Sequence, residues 1–252
     1  MNTGLLLHTL LGLLLLVIPA GLLYLLERPM LKTFGIAIAR MIVQLAVLCL
    51  VVWALIRVDS PWLLLVWFVA IAAYSGWLVL KRCKQNVRKL ILPVSAGLLI
   101  GVSIVSFWLL GLVFPVRVFD AHWFVPVTAL LMGHATAMMI RGLSTYLSAL
   151  KADEQQYEFL RGNGLAHFKA LQPFLRRSLL AVISPTMANL SVLGLTSMPL
   201  LLVGIFLGGI SPLHAFLLML GMVVGCVSAS VLSLAVTLFL ADKSLSDVTY
   251  KM

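Results

Sequence analysis

The chain has 252 residues, 62% of them hydrophobic and only 10% charged, with a mean hydropathy of +1.13. Soluble domains are roughly half apolar and about a quarter charged, so a soluble fold is excluded. The formal net charge of +10 invites a nucleic-acid reading, but cytoplasmic loops of membrane proteins collect Lys and Arg, and no nucleic-acid partner is expected.

Apolar runs of about 20 residues cross a bilayer as helices that satisfy their own backbone groups. Stretches such as LLLHTLLGLLLLVIPAGLLYLL lack the alternation of barrel strands. The predicted class is an all-α, polytopic membrane protein, with one transmembrane domain over residues 1–252. Seven spans are predicted, at about 4–26, 35–56, 61–80, 90–113, 123–147, 179–205 and 211–240. The first run has no basic residue ahead of it and no clear small-x-small cleavage site, so it reads as a retained span and not a signal peptide. With the N-terminus outside and the C-terminus inside, 16 of the 18 Lys and Arg residues fall on the cytoplasmic side, leaving only Arg57 and Arg117 outside. Cys49, Cys83 and Cys226 form no disulfide or zinc framework.

In the second span, Arg40 lies where a long side chain can snorkel to the cytoplasmic surface. Gln44 is one helical turn further on the same face and needs a hydrogen-bond partner away from lipid. In the fifth span, His134 and Met138 share a face at i, i+4. Imidazole and thioether together suit a transition metal, while methionine is also a common filler of core gaps.

The longest polar segment covers about residues 148–177. It opens with Asp153, Glu154 and Glu158, turns at Arg161-Gly162-Asn163-Gly164, and continues with Leu165, Phe168, Leu171 and Phe174 at helical spacing. A helix, a sharp turn and a second helix are predicted, with Pro173 at a break before the next span. Such a segment either lies on the headgroups as a connector or docks a cytoplasmic partner. Next comes LTSMPLLLVGIFLGGISP, Leu195 to Pro212. Pro199 predicts a helix break after Met198. Gly204, Gly208 and Gly209 present a thin surface for close helix packing, and Pro212 opens the last span. Gly97-x-x-x-Gly101 and Gly221-x-x-x-Gly225 repeat the small-residue spacing.

No His-Glu-x-x-His helix, phosphate-binding loop or intramembrane carboxylate pair is present in the sequence, so no enzyme is predicted and any transport needs an outside energy source.

Several stretches together resemble the Fet-type ABC transporter permeases, bacterial proteins linked to iron export, with plant relatives linked to aluminium tolerance. They are ARMIVQLAVL (Ala39 to Leu48), the segment from Gln155 to Ala170, and SPTMANLSVLGLTSMPLLLVGIFLGGISPLHA (Ser184 to Ala215). Met198-Pro199-Leu200-Leu201-Leu202 replaces the family's Leu-Pro-Gly-Met-Met. Asn163 replaces a turn glycine, and asparagine also tolerates the left-handed conformation.

The resemblance implies a multi-pass permease subunit of a bacterial inner membrane, exporting a metal ion such as iron. Two copies would pair with two cytoplasmic ATPase subunits, which would carry the ATP and magnesium, so no cofactor is expected in this chain. Segment 148–177 would then be the coupling element, with Glu158, Arg161, Gly162, Asn163, Gly164, Leu165 and Phe168 at the ATPase. Gln44, His134, Met138, Asn189, Ser191, Met198 and Pro199 would line the path. The alternative is a non-transporting membrane scaffold that docks a cytoplasmic partner.

Overall fold

The computed structural model describes residues 11–84, 87–114, 117–192, 204–205 and 208–249, with 87–89 and 242–249 as backbone alone. All regular structure among these residues is helical. We number the helices α1 (Val17–Leu26), α2 (Arg28–Val58), α3 (Pro61–Arg82), α4 (Val87–Trp108), α5 (Ala121–Ala152), α6 (Glu154–Gly162), α7 (His167–Ser191) and α8 (Pro212–Thr249). Five helical segments are long and apolar enough to cross a membrane: Arg28–Val58, Pro61–Arg82, Leu90–Val113, Ala121–Ala152 and Pro212–Ala241. Leu11–Leu26 is a shorter apolar helical stretch. The protein is a polytopic α-helical membrane protein.

Contacts divide the chain into two units, Met1–Arg57 and Val58–Met252. In the first, α1 and α2 meet at Glu27, and Arg28 lies over the Tyr24 ring at 4.7 Å. The second unit contains the packed core.

Helix starts in the second unit follow local chemistry. Pro61 and Pro212 occupy the first helical turn, where a missing N–H costs nothing. Asp120 caps α5 by accepting from His122 N at 3.0 Å, and Asp59 reaches across to accept from Ala121 N at 3.2 Å. At its far end α4 widens into a π turn, Leu109–Val113, closed by Phe114 N donating to Leu109 O at 2.7 Å.

Glycines set the closest approaches. A Cβ on Gly97 would lie 2.0 Å from Thr237 Oγ1 and 2.9 Å from Thr237 Cα. One on Gly101 would lie 2.6 Å from Ser233 N. These two glycines let α4 and α8 touch backbone to backbone. Gly76 admits Ser95 in the same way between α3 and α4. Gly142 on α5 takes Leu234 of α8 and Val182 of α7, and its carbonyl accepts from Ser178 Oγ at 2.8 Å. Leu64, Leu98, Leu131, Met139, Phe174 and Leu234 fill the centre.

Two sequence expectations are corrected. Pro173 does not break the chain: α7 runs from His167 to Ser191 with Pro173 and Pro185 inside it. Ala170, Leu171 and Phe174 are buried around Pro173, and that packing outweighs one lost backbone bond. The second arm of the predicted helix-turn-helix is therefore the start of the next apolar helix and not a separate element. In the turn, Asn163 has φ −79° and Gly164 has φ +80°, so the left-handed residue is the glycine.

The glycine contacts give a direct test. Gly97→Ala and Gly101→Ala are each expected to destabilise the protein by about 1–3 kcal/mol through overpacking. Gly133→Ala, where a Cβ meets no described atom within 4 Å, is expected to cost no stability and to gain up to about 1 kcal/mol from helix propensity. Thermal unfolding of the three variants in detergent checks this.

Candidate functional site

The α6–α7 hairpin is built from its own hydrogen bonds. Asn163 ends α6, Gly164 N donates to Arg161 O at 3.0 Å, and Leu165 N donates to Leu160 O at 3.2 Å. That pair of bonds is the Schellman arrangement, which needs a left-handed residue at the position Gly164 holds. Arg161 Nη1 donates to Leu165 O at 3.1 Å and spans the turn. Tyr157 Oη and His167 Nδ1 share a hydrogen bond of 2.7 Å that pins α6 to α7. Arg177 pairs with Asp153 at the base.

The hairpin buries none of the α6 side chains. Phe159 is 70% exposed and Phe168 is 54% exposed, one on each arm. Leu165 is half-buried, and Glu158, Arg161, Gly162, Asn163 and Gly164 are exposed. Sequence reasoning selected Phe168 and missed Phe159. Its signal was visible, since a phenylalanine stands out in EQQYEFLRG. The Tyr157–His167 and Asp153–Arg177 pairings carried no readable signal, because the turn geometry creates them.

A second polar group lies between the long helices. His134 Nδ1 is 2.8 Å from Ser230 Oγ, and Ser230 Oγ donates to Cys226 O at 2.7 Å. With the serine proton directed to the carbonyl, its oxygen is left to accept from Nδ1–H of His134. Met138, one turn along α5, has Sδ 3.9 Å from Thr186 Oγ1 of α7. His134 and Met138 thus meet α8 and α7 respectively. Among the described residues, no group of three or more His, Cys, Asp or Glu side chains stands close enough to hold a metal ion.

The other residues expected along a path are Gln44, Asn189, Ser191, Met198 and Pro199. Gln44 is exposed on α2, in the first unit. Asn189 and Ser191 are exposed at the end of α7, with Ser191 Oγ donating to Met187 O at 3.3 Å. Met198 and Pro199 lie outside the described residues. An added Cβ at Gly204 meets no described atom within 4 Å, and at Gly208 it meets Ile205 O of its own turn at 3.2 Å. Gly209 holds a turn at φ +80°. Close helix packing at the other glycine pair, Gly97 and Gly101, is present among the described residues.

At the end of α3, Cys83 Sγ lies 3.7 Å from Ile140 O, and burial pushes its thiol up to about 11.

These features define a multi-pass membrane protein with a protruding helical hairpin. The chain belongs to the family described as "Uncharacterised protein family (UPF0014)", whose model matches residues 6–245. It is 26% identical over 200 residues to "Protein ALUMINUM SENSITIVE 3" of Arabidopsis thaliana, covering 77% of this chain and 71% of that one. It is 28% identical over 211 residues to "UPF0014 membrane protein STAR2" of Oryza sativa subsp. japonica, covering 81% and 70%. A third relative, "UPF0014 membrane protein slr1647" of Synechocystis, is 23% identical over 178 residues, covering 70% and 68%. No solved structure matches the chain.

Gly164→Ala is expected to loosen the hairpin, at a cost of about 1 kcal/mol for a left-handed alanine, while Asn163→Gly leaves it intact. Limited proteolysis between α6 and α7 should speed up several-fold in the first variant only.

Proposed function

We propose that this chain is the membrane-spanning subunit of an ATP-driven transporter and that the α6–α7 hairpin docks a separate ATPase. The observation that carries this reading is the pair of exposed phenylalanines, Phe159 and Phe168, on a hairpin held rigid by its own bonds. The Tyr157–His167 pin and the bonded turn hold the two arms in one arrangement, and a docking element benefits from arriving pre-shaped. Glu158 and the Arg161 side chain supply charge at the rim.

In this reading ATP and magnesium bind the partner, two copies of the chain assemble with two ATPase subunits, and seven spans place the N-terminus outside a bacterial inner membrane. α7 and the Leu11–Leu26 stretch would complete the seven. The cargo is a metal ion, with iron export as the Fet-type resemblance implies. The name of the Arabidopsis relative, which refers to aluminium sensitivity, supports a metal-linked role.

Truncating a buried aromatic anchor commonly costs about 2 kcal/mol or more, which is roughly thirtyfold in affinity. Phe159→Ala and Phe168→Ala are each expected to weaken ATPase co-purification by that factor while the membrane fold persists. Unchanged complex yield in both variants refutes the docking site. An ATPase that binds normally but shows no change in turnover favours the scaffold reading.

The orientation has its own check. Asn86→Cys should react with an impermeant thiol reagent only from the cytoplasm, and Arg117→Cys only from outside. The reverse pattern at either position overturns the topology.

A further inference from the structure

Serines and threonines on membrane helices usually satisfy themselves by donating to the carbonyl one turn back. Thr128, Thr136, Thr186 and Ser230 do so at 2.6–2.7 Å. Ser95, Ser106, Ser233 and Thr237 do not: their buried hydroxyl oxygens have no hydrogen-bond partner among the described residues. Ser233 and Thr237 are both 0% exposed. Their oxygens abut glycines of α4, 2.3 Å and 2.0 Å from where a Cβ on Gly101 and Gly97 would stand. Burying a hydroxyl without a partner costs free energy that alanine would avoid.

The same seam continues along α8 at intervals of four residues through Ala229, Gly225 and Gly221. Leu109 lies against Gly225 and Phe114 against Gly221. At that end residues of both helices, Ile104, Trp108 and Leu109 on one and Gly221, Val224 and Ser228 on the other, line an apolar cavity of about 940 Å³. The helix pair thus meets backbone to backbone at its hydroxyl end, while at the other end the side chains of Leu109 and Phe114 stand between the helices. The hydroxyl end is the one that carries the hairpin, since α3, α5 and α8 end there and α4 and α7 begin there. Glycine facing hydroxyl also means that no side chains interlock, so the helices can separate without rotamer clashes.

We propose that the α4–α8 seam is a gate on the cargo path, closed in this structure, and that its opening exposes the Ser233 and Thr237 hydroxyls to water and cargo. The inference rests on the transport reading above.

The test uses the full chain in liposomes with Cys49, Cys83 and Cys226 replaced by alanine. Thr237→Cys and Ser233→Cys, each a near-isosteric change, are treated with a small methanethiosulfonate carrying an ammonium group. Val182→Cys, buried between α5 and α7, is the reference. A working gate makes at least one seam cysteine react about tenfold faster than the reference or more, because the charged reagent needs a wet route. Rates at both seam positions equal to the reference, including no reaction at any of the three, overturn the proposal. The two seam variants are independent, so loss of folding in one leaves the other to decide. ATPase docking plays no part in this readout, so failure of the gate and failure of the docking site are told apart.

Discussion

In the second unit, α4 and α8 approach until backbone meets backbone, across Gly97 and Gly101 on one side and Ser233 and Thr237 on the other. Lipid tails are as apolar as leucine, so burying apolar side chains gives little drive for two helices to meet in a bilayer. Close van der Waals packing must supply it, and that requires small residues. The remaining helices are arranged around this pair. Gly76 brings α3 onto α4, and Gly142 lets α5 lie against both α7 and α8.

That packing fixes where polar groups can stand. His134 finds Ser230 because α5 is held against α8, and Met138 finds Thr186 because α5 is held against α7. Ser178 ties α7 to the Gly142 carbonyl. The same α5–α7 pairing sets the base of the hairpin, where Asp153 meets Arg177. Helices thus connect the hairpin that carries the exposed Phe159 and Phe168 to the interior of the second unit.

The family match over residues 6–245 and the similarity to the plant and cyanobacterial relatives agree with a membrane protein built on one plan. The hairpin and the seam show where that plan has chemistry to use. The hairpin exposes two phenylalanines beside charged side chains, and the seam buries uncharged hydroxyls that have no partner among the described residues.

The sequence by itself determined the helical class, the helix start at Pro212 and the presence of a hairpin within residues 148–177. Each depends on local rules: runs of apolar residues, a proline at a first turn, and glycines in a turn between polar helices. It also pointed to Phe168, since an aromatic residue in a polar segment is legible without neighbours. Only the tertiary structure decided that Pro173 stays inside α7, because burial of Phe174 and Leu171 overrides a local penalty. It alone separated glycines that touch another helix, Gly97 and Gly101, from Gly204, which meets none of the described residues, although all share one spacing motif. A small-residue spacing says that a close approach is permitted. Which helix arrives, and whether the hydroxyl it brings has a partner, depends on residues more than a hundred positions away.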